Sequence, residues 1–138
     1  MSCQNRRLSR YLHRKTLLVW LPALLMMLTI FGFSSIPGSV MPNFGPPDLF
    51  VKKGGHVLGY ALLALAYWFG LRFERRLWWP ALLLALIYAA SDEFHQSFVP
   101  GRHPSWVDAL GIDGGGAATA LGLAYMWLGK RSDSLKSK

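Results

Sequence analysis

Long apolar runs alternate with short, dense polar clusters along this 138-residue chain. Four runs, at residues 16–33, 55–71, 77–94 and 107–128, approach the roughly 20 helical residues needed to cross a hydrocarbon core. Leucine, alanine and methionine dominate them, and all three favour helix. The pattern predicts an all-α fold, a bundle of four transmembrane helices. The first run, with basic residues before it and "GFSSIPGS" after it, resembles a secretory leader. It is long for such a segment, and no A-x-A-like site follows, so it is read as the first helix. Buried helices of a soluble core are the competing reading, but the chain has too little polar surface to cover four such runs.

Composition supports the pattern. Hydrophobic residues make up 52% of the chain and charged residues 16%, against roughly 25% charged in an ordinary soluble domain. The formal net charge is +8, but the charges are gathered at the ends of the runs. Arg6, Arg7, Arg10, Arg14 and Lys15 precede the first run; Arg72, Arg75 and Arg76 lie in the second link; Lys130, Arg131, Lys136 and Lys138 follow the last. Only Lys52, Lys53 and Arg102 fall on the other side. Positive loops stay in the cytoplasm, so both termini are expected inside (N-in/C-in). Trp68, Trp78, Trp79 and Trp127 then mark the inner interface and Trp106 the outer one, as an aromatic belt would. No basic stripe interleaves with aromatics, so no nucleic-acid partner is expected. Cys3 is the only cysteine, which excludes an internal disulfide and a cysteine metal site. The expected organisation is a basic cytoplasmic tail at residues 1–15, a transmembrane domain at 16–129 and a second basic cytoplasmic tail at 130–138.

Apart from the tails, the densest polar clusters fall on the outer face. In "KKGGHVLGY", Lys53, His56 and Tyr60 are spaced i, i+3, i+7 and share a helical face. In "SDEFHQSFVPGRHPSWVD", Asp92, His95 and Gln96 are spaced i, i+3, i+4, with Glu93 one step round the helix. "PG" suits the centre of a type II turn, and Arg102 follows it. Ser105 and Asp108 form S-x-x-D, close to a capping box. Asp113 is the deepest acid, expected to pair with Lys53, Arg102 or His56. His103 reads as a solvated loop residue and Lys52 as a headgroup-facing anchor. Ionised groups in membrane segments are costly and are normally paired or functional. A network that only locks the helices together is the competing reading. The G-x-x-x-G spacings at Gly55/Gly59 and Gly111/Gly115 let helices approach closely. They place the second and fourth helices side by side, and glycine-rich faces of this kind also suit an oligomer.

"SSIPGS", "KGGHVLGYALLALAY" and above all "SDEFHQSFVPGRHPSWVD" resemble the VanZ-like family of small bacterial membrane proteins, over about residues 34–126. The last stretch is similar to the family's signature Ser-Asp-Glu-x-x-Gln-x-Phe-x-Pro-Gly-Arg…Asp. The resemblance maps the family's polar positions onto Lys53, His56, Tyr60, Asp92, Glu93, Gln96, Arg102 and Asp108. Asp113 stands where the family usually has asparagine. The resemblance implies a multi-pass protein of the bacterial cytoplasmic (inner) membrane acting at the cell envelope. The family takes its name from a protein associated with resistance to the glycopeptide teicoplanin.

Three functional classes follow. A binding protein would hold a lipid or headgroup anion, including that of a lipid-linked envelope precursor, through Lys53, His56 and Arg102. Its ligand-binding set would add Tyr60, Gln96, Asp108 and Asp113. An enzyme acting on an envelope lipid would use Asp92, Glu93, His95 and His56 for acid–base chemistry or as ligands of a hard or borderline metal. A transporter would need more helices than four, hence an oligomer. The residues assign no particular cofactor or metal.

Overall fold

The computed structural model describes residues 3–42, 45–102 and 104–136, with side chains for 18–42, 45–48, 50–102, 104–107 and 109–130. Four helices carry the chain, with no strand among the described residues. Helix α1 (Cys3–Ser34) leads to α2 (Asp48–Gly70), a short 3-10 turn (Arg75–Leu77) and α3 (Trp78–Gln96). The fourth helix is continuous but irregular: α4 (Trp106–Asp108), a π turn (Ala109–Asp113) and α5 (Gly114–Lys136). The two basic segments expected as tails are helical from Cys3 and as far as Lys136.

Helix α2 starts seven residues before its apolar run, because Pro46 and Pro47 set the chain up for a first turn that carries Asp48. Proline suits helix starts and an acid suits the N-terminal dipole. The extension brings Lys52 and Lys53 onto the helix. Helix α3 ends in a turn at Val99–Arg102, where the Arg102 N–H donates to the Val99 carbonyl at 3.2 Å and Gly101 has φ +71°. This is the type II turn expected from "PG": proline fixes the second position and glycine alone enters the left-handed third position without strain. At the other end of the bundle, Arg72 and Phe73 hold φ of 60° and 52° in a tight turn. The Trp68 indole braces that turn by donating to the Glu74 carbonyl at 2.9 Å.

Helix α2 lies at the centre, packed on α1, α3 and α5. It contributes Tyr60, Leu63, Ala64, Tyr67 and Trp68 to the core. Alanines at positions 81, 85 and 89 form the facing stripe of α3, and Ala117 and Leu121 that of α5. Small residues let helices approach closely. The glycines that make such contacts differ from those expected. A Cβ at Gly116 would lie 2.8 Å from the Val57 carbonyl oxygen, and one at Gly114 would lie 2.7 Å from a Leu86 methyl. Gly55, Gly111 and Gly115 face nothing within 4 Å, and Gly59 faces Ile30 of α1. The second and fourth helices do pack together, but Gly116 makes the contact. The π turn accounts for the offset, since one extra residue in a turn rotates everything after it by about 100°.

Large apolar side chains point outward on every helix, among them Leu18, Leu28, Leu58, Leu62, Ile87, Leu110 and Leu123. Among the described residues, no helix is long and apolar enough to cross a membrane. The apolar stretches are interrupted by Lys53, His56 and glycines in α2, by Asp92, Glu93, His95 and Gln96 in α3, and by three successive glycines at the start of α5. The side chains of α1 are described only from Leu18 onward.

Candidate functional site

One end of the bundle gathers the buried acids with Lys52, Lys53, His56 and Arg102. The start of α2, the end of α3, the π turn and two loops enclose a cavity of about 250 Å³. Lys52, Lys53 and His56 enter from α2, Glu93 and Gln96 from α3, and Asp113 from the π turn. Gly38, Met41, Gly101, Arg102, Ser105 and Ile112 complete the wall. Among the described residues, two lysines, an arginine and a histidine thus face two carboxylates around one space.

Each acid has a different task. Asp92, 4% exposed, lies beneath the cavity. Its Oδ2 accepts from the Ser34 hydroxyl at 2.7 Å, the Gln96 amide at 2.9 Å and the Tyr60 hydroxyl at 3.2 Å. Its Oδ1 is buried without a hydrogen-bond partner. Glu93 accepts the Ser105 backbone N–H on Oε2 at 2.7 Å, which ties the end of α3 to the start of the fourth helix. Asp113, 3% exposed, pairs with His56, Nδ1 to Oδ2 at 3.6 Å. His56 is one of the three partners expected for Asp113.

Arg102 lines the cavity while bracing α1. Its Nε donates to the Ile36 carbonyl at 3.0 Å and one terminal nitrogen donates to the Phe33 carbonyl at 2.6 Å. Cations suit the C-terminal end of a helix, where carbonyls are left without intrahelical partners. Burial lowers the Arg102 pKa from its ordinary value, and Asp92 and Glu93 act against that change. Beside it the Gly38 N–H donates to the Pro100 carbonyl at 3.0 Å. A Cβ on Gly38 would run into the Gly101 carbonyl. Two loops distant in sequence are thereby fastened into one wall.

The sequence-derived residues fall into three groups. Lys53, His56, Glu93, Gln96, Arg102 and Asp113 line the cavity. Asp92 and Tyr60 form the buried layer below it, joined to Gln96 by hydrogen bonds. His95 faces away toward α1, 3.0 Å from the Ser35 hydroxyl and with its ring 4.5 Å from that of Phe31. The side chain of Asp108 and all of His103 lie outside the described residues. Lys52, read as a headgroup anchor, lines the cavity and pairs with Asp48 at 2.7 Å.

Sequence reasoning assigned no role to Ser34, Ser35, Gly38 or the Ser105 N–H. "SSIPGS" was the available signal, a polar patch at the end of an apolar run, but nothing local says that its serines meet α3. Among the described residues, no group of three or more histidine, cysteine or acidic side chains is placed to hold a metal ion.

No curated protein and no solved structure matches the chain. A family model does: VanZ/LLP1 matches residues 13–128, which take in most of α1 and α5, all of α2 and α3, and every cavity-lining residue. The chain belongs to the VanZ/LLP1 family.

Proposed function

We propose that this chain is a multi-pass protein of the bacterial cytoplasmic membrane, N-in/C-in, whose polar cavity binds the headgroup anion of an envelope lipid or lipid-linked precursor at the outer leaflet. One observation carries the reading: large apolar side chains cover the outside of the bundle while acids and an amide are buried at one end of its apolar core. Asp92, Glu93, Gln96 and Asp113 are buried, while Leu28, Leu58 and Leu123 are 60–67% exposed. In water, contiguous apolar surface of this kind would drive association; in lipid it meets its own solvent. Lipid contact also suits the helix contacts made by Ala81, Ala85, Ala89, Ala117 and Gly116, since membrane helices associate by close packing of small residues.

Lys52, Lys53, His56 and Arg102 give the cavity its cationic side. Its 250 Å³ is below the roughly 300–1,000 Å³ of pockets that enclose a whole drug-sized ligand. A headgroup fits, with acyl chains lying outside against the apolar helix faces. Membership of the family extends the proposal to glycopeptide resistance, through altered handling of an envelope precursor.

The binding test is a titration of the purified full chain in detergent with dihexanoyl phosphatidylglycerol and, separately, zwitterionic dihexanoyl phosphatidylcholine. Saturable binding of the first alone, weakened at least tenfold by Lys53→Gln, supports the reading. Equal binding of both lipids, or none, overturns it.

A further inference from the structure

We propose that the cavity hydrolyses a lipid phosphomonoester, with Glu93 and His56 as acid–base pair and Asp113 as the positioning residue. The inference rests on the anion-binding reading of the same cavity and adds a reaction to it. Three observations carry it. His56 and Glu93 come from different helices and line one headgroup-sized space. Each is held from behind: His56 Nδ1 by the buried Asp113 carboxylate at 3.6 Å, and Glu93 Oε2 by the Ser105 N–H at 2.7 Å. Asp113 also ends a π turn, an irregularity that recurs at functional sites. It delivers a carboxylate from the fourth helix to a histidine on the second.

The cations decide which ester. A phosphomonoester carries up to two negative charges and gathers more on its leaving oxygen during cleavage. Lys52, Lys53 and Arg102 surround the cavity with positive charge where that builds up. A carboxylic ester is neutral and would gain little from three cations in the ground state.

The step balances without a further reactant. Glu93 takes a proton from water, whose oxygen forms a new bond to phosphorus. The bond from phosphorus to the lipid oxygen breaks, and its electron pair stays on that oxygen. His56 in its protonated form supplies the proton that completes the lipid alcohol. The products are the alcohol and inorganic phosphate. Proton transfer then passes the proton held on Glu93 back to His56 through solvent.

The test uses the purified full chain in detergent with dihexanoyl phosphatidic acid, following both binding and phosphate release. The wild type should release phosphate. Glu93→Gln and His56→Asn should each lower kcat at least ~100-fold, the lower range for a lost acid–base group, with Glu93→Gln still binding the lipid. Asp113→Asn should lower kcat with little change in KM, a split that a merely structural role would not give. Binding without phosphate release overturns the hydrolase and leaves the anion site standing. Loss of neither variant's activity also overturns it. Absence of both binding and release brings down the hydrolase together with the reading beneath it. Helical content is recorded for each variant, and Glu93→Gln, which keeps an acceptor for the Ser105 N–H, decides the matter if His56→Asn does not fold.

Discussion

Ser34 donates its hydroxyl to Asp92 at 2.7 Å across 58 residues of chain, joining the last residue of α1 to the buried carboxylate of α3. Tyr60 and Gln96 donate to the same Oδ2, so the acid is the hub of three helices. Ser34→Ala removes one of three donors and should cost about 1 kcal/mol, the net worth of an ordinary hydrogen bond. Asp92→Ala strands several donors at once, each worth about 1–3 kcal/mol when buried without a partner. Thermal unfolding of the two variants in detergent should therefore separate clearly. Equal midpoints would mean that Asp92 is not the hub.

The wall between α1 and the α3 end should be unforgiving at Gly38. Its missing Cβ leaves room for the Gly101 carbonyl. Gly38→Ala should destabilise by about 1–3 kcal/mol, the usual range for overpacking, as measured by the unfolding midpoint. Arg102→Lys should lose the paired contact with the Phe33 and Ile36 carbonyls, because an ammonium lacks the planar fork. It should lower the midpoint and weaken anion binding together. A variant as stable as wild type would show that the carbonyl contacts contribute nothing.

Much of the site could be read before the structure, because helical spacing fixes which residues share a face. Lys53 and His56 come together for that reason, and so do Asp92 and Gln96. The "PG" turn was legible because proline and glycine each demand one backbone geometry. Contacts between distant segments were not. Nothing in "SSIPGS" says that Ser34 reaches Asp92 or that Ile36 accepts from Arg102. His95 shared the spacing of Asp92 and Gln96, yet it meets Ser35 and Phe31, since a helical face is broad enough to touch two neighbours. The glycine spacing correctly paired the second and fourth helices but named the wrong residue, because the π turn leaves no mark in the sequence.

That offset makes a sharp contrast between adjacent glycines. Gly116→Leu drives a side chain into Val57 and should part α2 from α5, whereas Gly115→Leu points into open space. The first should lower the unfolding midpoint strongly and the second hardly at all. Reversed effects would place the close contact where the regular-helix reading put it.

The account stands or falls on the cavity opening at the outer face of a membrane. In a Cys3→Ser background, a cysteine at Met41, which lines the cavity, and one at Ser134, near the C-terminal end, can each be offered an impermeant maleimide. In intact spheroplasts Met41→Cys should be labelled and Ser134→Cys should be labelled only after permeabilisation. Labelling of Ser134→Cys alone would turn the cavity toward the cytoplasm, and equal labelling of both in a soluble fraction would remove the membrane altogether.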